Sequence, residues 1–226
     1  MDLELRYYPQ NANDSVKEIE KLPYLHQVAF CASVCERSIL IYKDFTKEER
    51  LSTFPIARKT LDEIWLTVTE KSINIAHLNR LRINCEKIVP QWEASSYAYE
   101  IEAIRSVDII CCLLGYMCSR KRKFLKDFVQ CLDNIIPNFL VYEIARLEDE
   151  QSDKLEFKEI DKAQNRTTVS EEISIIADST VMRREMTKEN EDLQLLKKNP
   201  ILTPEFVQKF RDSALSCTNG KSIIDV

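Results

Sequence analysis

Apolar side chains recur every three or four positions along most of this chain, which is the spacing of one face of an α-helix. The first clear case spans residues 22–43, and the positions that share its stripe are Leu22, Leu25, Ala29, Ala32, Ser33, Glu36, Ile39 and Leu40. A helix of this length packs its apolar face against other helices. We therefore predict a helix over 22–43 inside a helical bundle.

Four further helices follow from the same periodicity. We predict them over about 53–71, 75–89, 97–119 and 123–149. Pro55 falls in a first turn, where its missing N–H costs nothing, and Pro90 ends a helix. The third of these segments is apolar on every side after Ile109, which indicates a central position. Pro137 predicts a kink in the fourth.

The composition changes before the end of the chain. Residues 148–161 contain seven acidic side chains and two lysines, and such a segment buries too little apolar surface to offset the entropy of ordering. We interpret 150–185 as a polar, flexible insert that is extended or weakly helical, and Thr203 as the cap of a final helix. The sequence thus predicts one all-α domain over 1–226, an irregular bundle of six or seven helices with an acidic insert before the last.

The composition excludes several classes of function. Two glycines in 226 residues rule out the glycine-rich loops that cradle phosphates. A net charge of −5 and a pI near 5.3 are unsuited to non-specific nucleic-acid binding. The longest apolar run has ten residues, Ile109 to Cys118, and about 20 are needed to span a bilayer. We predict neither a nucleic-acid partner nor a membrane span.

Cysteine and histidine give no support for a metal or a cofactor. Cys31 and Cys35 lie one helical turn apart in an apolar stretch, where thiols behave as core residues. The cysteines at 111, 112, 118 and 131 lack the tight pairs of zinc sites. Neither His26 nor His77 follows a glutamate by three positions, as di-iron bundles require. We predict reduced thiols in a cytoplasmic protein, with no metal and no cofactor.

Charged side chains on the first two helices form the most specific polar pattern. Glu36 shares a face with core positions, and Arg58 and Asp62 are four residues apart on the next helix. With Arg37, they define either a buried ionic network that fixes the helix register or a pocket for a polar ligand. The first interpretation is the simpler one, because catalysis also needs a cavity.

The same two helices carry a family resemblance. One contains the sequence from Ala29 to Arg37, followed by Tyr42 and Phe45, and the other contains the sequence from Ala57 to Trp65. They resemble the bacterial YjaG family, helical proteins known only as a domain of unknown function. The matching positions are Glu36, Arg37, Tyr42, Phe45, Arg58, Leu61, Asp62, Ile64 and Trp65.

The resemblance covers about 22–149 and 189–216, including Lys198-Asn-Pro200 before the last helix. The chain departs from it at 101–105, where the family has a Tyr-Pro-Ala-Ile-Asp segment. The resemblance implies a helical fold and no known activity.

These observations favour a non-enzymatic protein that binds another protein. Trp92 follows Pro90 in a predicted loop and is the candidate interface residue, and we expect the acidic insert to form part of the same binding surface. The basic run 120–123 is interpreted as a solvated turn between helices. The alternative function is a small-ligand or catalytic pocket on Glu36, Arg37, Arg58 and Asp62, and self-association is left open.

Overall fold

The computed structural model describes residues 12–89, 99–135 and 180–216. They form eight helices and no strands, which confirms the all-α bundle. The helices are α1 (Ala12–Glu20), α2 (Tyr24–Glu48), α3 (Phe54–Glu70), α4 (Ile75–Glu86), α5 (Glu100–Ser119), α6 (122–135), α7 (Thr180–Lys198) and α8 (Pro204–Ser216). In this part of the chain, every helix is too short or too polar to cross a bilayer.

The central element is α2, which packs against α1, α3, α5, α7 and α8. Every residue from His26 to Ile39 is buried. Ala29, Ala32 and Ser33 are small enough to let neighbouring helices approach on several sides. The apolar helix α5 packs on α2, α3 and α4, so it is a core helix, although α2 occupies the centre.

Two helices differ from the sequence prediction. The periodicity did not identify α1, although Val16 and Ile19 are buried in the core. It also did not identify α7, which begins at Thr180, so the last six residues of the predicted insert 150–185 are helical. The rest of that insert lies outside the described residues.

The helices α3 and α4 agree closely with the prediction. Pro55 lies in the first turn of α3 as expected, and the Asn74 side chain caps α4 by accepting a hydrogen bond from the His77 backbone N–H at 3.0 Å. The candidate interface residue Trp92 and the kink predicted at Pro137 lie outside the described residues.

Candidate functional site

The Glu36 carboxylate lies where three helices meet. Glu36 is on α2 and is 0% exposed. Its Oε1 accepts hydrogen bonds from Trp65 Nε1 at 2.8 Å and from Arg211 Nε at 2.9 Å. Arg58 donates to both oxygens, from Nη1 to Oε2 at 2.5 Å and from Nη2 to Oε1 at 2.8 Å. The buried charge is therefore fully paired, as buried charges must be to avoid a large desolvation penalty.

Asp62 extends this group to the surface, where its side chain is 47% exposed. It accepts hydrogen bonds from Arg58 Nη2 at 2.9 Å and from Arg211 Nη2. Two arginines are thus shared by two carboxylates, and their formal charges cancel. We call this group the Glu36 cluster; its members are Glu36, Arg58, Asp62, Trp65 and Arg211.

The carboxylates of the cluster also shift the pKa of Arg58. Burial lowers the pKa of its guanidinium, but the bonded carboxylate of Glu36 and the nearby Asp62 raise it more, and the net shift is upward. Arg58 therefore stays charged at every physiological pH. Its Nε atom is buried and has no hydrogen-bond partner among the described residues.

Arg37 belongs to a second, deeper group. It is 0% exposed, and its Nε donates to the two oxygens of Glu185 at 2.8 and 2.9 Å. Its Nη1 donates to Asp192 Oδ2 at 3.1 Å and to Ser33 Oγ at 2.8 Å. Lys188 donates to Asp192 and to Ser213. We call Ser33, Arg37, Glu185, Lys188 and Asp192 the Arg37 cluster.

The structure therefore divides the four residues that the sequence grouped together. It brings Glu36, Arg58 and Asp62 into contact, and it gives Arg37 separate partners on α7. Successive side chains of an α-helix are about 100° apart around its axis. Glu36 consequently faces α3 and α8, whereas Arg37 faces α7.

Four polar members of these clusters were missed by the sequence analysis: Arg211 on α8 and Glu185, Lys188 and Asp192 on α7. A signal was present on α7, because the charged positions 185, 188, 189 and 192 follow helical spacing. A charged stripe normally faces solvent. Here it faces the core, because the buried guanidinium of Arg37 requires carboxylates opposite it.

The cysteines are free thiols throughout the described residues. Cys31 and Cys35 are buried in the core, as predicted, and burial raises the pKa of both thiols well above the ordinary value. Cys111, Cys112 and the others on α5 and α6 are half-buried. In the described ranges, no group of three or more His, Cys, Asp or Glu side chains is arranged to hold a metal ion.

The histidines and the basic run take part in local structural contacts. His26 is buried and its Nε2 donates to the Asn199 carbonyl at 2.7 Å, whereas the half-exposed His77 contacts Glu63 Oε2 at 3.1 Å. In the basic run, the Arg120 guanidinium lies 4.1 Å from the centre of the Tyr24 ring. Arg122 pairs with Glu20 at 2.8 Å.

A groove lies between the first turns of α3 and the last turns of α4. Its volume is about 580 Å³, within the range of ligand-binding clefts. Four apolar side chains, two lysines, a threonine and an asparagine line it: Pro55, Ile56, Leu81, Ile88, Lys59, Lys87, Thr60 and Asn84. We call it the α3–α4 groove. Neither the Glu36 cluster nor the Arg37 cluster lines it.

A tyrosine of α2 holds the two sides of this groove together. Tyr42 is 0% exposed, and its hydroxyl donates to the Ile88 carbonyl at 3.0 Å. The same hydroxyl lies 2.7 Å from Thr53 Oγ1, so that Thr53 is the donor of this second bond. The start of α3 and the end of α4 are therefore fixed relative to each other by one buried side chain.

These features define a helical bundle whose central helix is tied to its neighbours by two buried ionic clusters. The family described as "Protein of unknown function (DUF416)" matches residues 14–224, and the chain belongs to this family. A comparison with curated proteins finds no match.

One solved structure is similar over nearly the whole chain. It is the crystal structure of a DUF416 family protein from Shewanella baltica OS155, at 1.91 Å resolution. The two sequences are 18% identical, the match covers 93% of this chain and 97% of that one, and the TM-score is 0.63. At this identity the likeness concerns the fold alone.

Proposed function

We propose that this DUF416 protein is a non-enzymatic, cytoplasmic protein that binds another protein through the α3–α4 groove. The observation that carries the proposal is an open apolar groove with a lysine on each side. Ile56 in this groove is 40% exposed, and α3 and α4 together hold four of the seven exposed large hydrophobic residues described: Ile56, Leu66, Ile75 and Ile83. Exposed apolar surface beside polar residues is typical of interaction sites.

The contrast between the paired charges of the Glu36 cluster and the two lysines of the groove supports the same proposal. In the Glu36 cluster, the carboxylates and guanidinium groups bind one another, which is the arrangement of a structural network. Neither Lys59 nor Lys87 forms a salt bridge within the described part of the chain. The groove thus has apolar surface and charge that a partner can use.

The experiment is native mass spectrometry of the protein isolated gently from its host. We expect the wild type to carry a second, different chain, and the double variant Lys59→Glu/Lys87→Glu to lose it. The matched control is Lys123→Glu/Lys126→Glu, which reverses two exposed lysines of α6 and should keep the partner. Equal occupancy in both variants, or no bound chain in the wild type, would contradict the proposal.

A second candidate is a small-ligand pocket on the Glu36 cluster. One observation favours it: Arg58 Nε is buried without a partner among the described residues, next to the half-exposed Asp62. A bound anion could use such a donor. Native mass spectrometry separates the candidates, because a ligand adds a small mass that Glu36→Gln removes, whereas a protein partner adds a whole chain.

The narrower resemblance to the YjaG group within this family is also a proposal. It rests on the sequence from Ala29 to Arg37 and on that from Ala57 to Trp65. Trp92 likewise stays a proposed interface residue, four positions beyond Ile88 in the sequence. Replacing it by alanine should weaken partner binding if it extends the surface.

A further inference from the structure

We infer that the α3–α4 groove receives an amphipathic helix of the partner whose apolar stripe is flanked on both sides by acidic residues. This inference rests on the proposed function and specifies the chemistry of the partner. It follows from three properties of the groove: its apolar floor, the position of its two lysines and its fixed shape.

The floor offers apolar contact and few hydrogen bonds. Leu81 and Ile88 are buried, and Pro55 and Ile56 extend the apolar surface to the rim. The Thr60 hydroxyl also lines the groove, but it donates to the Ile56 carbonyl at 2.8 Å and is already satisfied by its own helix. A partner segment must therefore place apolar side chains against this floor, since an unpaired polar group there would lose its hydration.

The two lysines lie on opposite sides of that floor. Lys59 is exposed on α3, and Lys87 is exposed immediately after the end of α4. Nearby acids are engaged elsewhere, because Glu63 contacts His77 at 3.1 Å and Glu86 pairs with Arg82 at 2.6 Å. In a chain of net charge −5, the groove is locally positive and selects an acidic partner.

The arrangement fits a helix better than other acidic ligands. An amphipathic helix presents an apolar stripe with polar positions on each side, and such helices bind in grooves between two helices. Its acidic side chains then meet one lysine on each rim. A single-stranded nucleic acid would instead stack its bases on aromatic side chains, and the described lining residues include none.

The groove keeps its shape without a partner. The buried Tyr42 hydroxyl bonds both to Thr53, at the start of α3, and to the Ile88 carbonyl, at the end of α4. A groove that is already formed loses little conformational entropy on binding, which raises affinity. The partner helix can therefore bind without remodelling the bundle.

The test measures fluorescence anisotropy of the full-length protein with three labelled synthetic peptides. Each peptide is a helix with leucines along one face, and the flanking positions hold glutamate, glutamine or lysine. We expect the glutamate peptide to bind wild type about tenfold more tightly than the glutamine peptide, with the difference shrinking at high salt. The variant Lys59→Glu/Lys87→Glu should reverse the order and prefer the lysine peptide.

Two controls keep the result interpretable. The control Lys123→Glu/Lys126→Glu should leave the wild-type order unchanged. If the charge-reversed protein loses its helical circular dichroism spectrum, Lys59→Gln/Lys87→Gln replaces it and should abolish the preference for glutamate.

Several outcomes would overturn the inference. They are equal binding of all three peptides, no binding of any peptide, or a glutamate preference that survives charge reversal at the groove. If Trp92→Ala binds the glutamate peptide more tightly than wild type does, the occupant of the groove is a segment of the same chain. If wild type is a dimer and Lys59→Glu/Lys87→Glu dissociates it, the occupant is a second copy. If the peptides fail but charge reversal still releases the native partner, the proposed function stands and only the acidic helix is wrong.

Discussion

Arg37 and Glu185 are 148 positions apart in the sequence and form a buried, forked ion pair. Arg37 Nε lies 2.8 Å from Glu185 Oε1 and Nη2 lies 2.5 Å from the same oxygen. Burial lowers the pKa of the guanidinium, but Glu185 and Asp192 raise it more, so the net shift is upward. The pair joins the central helix α2 to α7 and determines which face of α7 lies inward.

Removing this guanidinium should strongly destabilise the protein. Arg37→Met leaves the buried carboxylate of Glu185 without the guanidinium that it binds and removes one of the two cations that contact Asp192, and we expect a loss of about 3–5 kcal/mol in the free energy of unfolding. Urea denaturation at pH 7 measures it. The control Arg82→Met breaks a surface pair with Glu86 and should cost about 0.5 kcal/mol. A loss under about 1 kcal/mol for Arg37→Met would contradict a stabilising role of the pair.

Removing the charge of Glu36 should also destabilise the protein, if the Glu36 cluster has a structural role. Glu36→Gln keeps the shape of the side chain but removes the charge that Arg58 and Arg211 bind, which should cost about 2–4 kcal/mol. The Trp65→Phe variant removes one donor and part of a buried ring that packs against Phe210 but leaves the charges in place, and should cost about 1–2 kcal/mol. Thermal unfolding of both variants checks this order. An unchanged melting temperature, combined with loss of a bound small molecule, would support the ligand pocket instead.

A glycine allows α5 and α6 to approach closely. A Cβ placed on Gly115 would lie 2.5 Å from Cδ1 of the Phe124 ring, well inside van der Waals contact. We expect Gly115→Ala to destabilise the protein by about 1–3 kcal/mol through overpacking. In a protein that already carries Phe124→Leu, Gly115→Ala should lower the free energy of unfolding by clearly less. Equal costs in the two backgrounds, measured by urea denaturation, would show that the ring is not the obstacle.

Asp133 should make stability depend on pH. Burial raises its pKa from 3.8 to about 7, and the neighbouring Glu189 lines the same small cavity. Between these two pH values the folded state retains a proton that the unfolded state has lost, so the contribution of Asp133 to stability falls as pH rises from 4 to 7 and is constant above.

The variant Asp133→Asn removes this titration. Its stability relative to wild type should therefore rise between pH 4 and pH 7 by about 2–4 kcal/mol. Urea denaturation at four pH values measures the difference, in which the other titrating groups cancel. If the difference in stability between the variant and wild type stays constant across this range, the Asp133 carboxyl is more solvated than the structure shows.

The fold was predictable where apolar spacing determines it. Four apolar positions at helical spacing, preceded by a proline, predicted the bounds of α3 to within one residue at each end. These positions are Leu61, Ile64, Trp65 and Val68, which are all buried, and the proline is Pro55. The short helix α1 was missed because its nine residues, with only two buried side chains, are fewer than the roughly 11 residues over which helical spacing is normally judged. The prediction also ended α2 at residue 43, five residues before its end.

The site was predictable only in part, for a physical reason. Arg58 and Asp62 were paired correctly by their spacing of four, and Glu36 was placed on an inward face. The partners of Arg37 could not be found, because inward-facing charges on α7 look the same as solvent-exposed charges until the opposite helix is known. The groove could not be predicted either, because it depends on how α3 and α4 pack together and not on the residues of one helix alone.

The central claim, that the α3–α4 groove binds an acidic segment of another protein, is tested most directly by site-specific photo-crosslinking in the host. A benzoylphenylalanine is placed at the exposed position of Asn84, which lines the groove, and in a control at the exposed position of Lys123. We predict one discrete adduct from position 84, with the crosslinked peptide of the other protein carrying acidic residues beside apolar ones. An adduct of equal yield from position 123, or a crosslinked peptide without acidic residues, would contradict the claim.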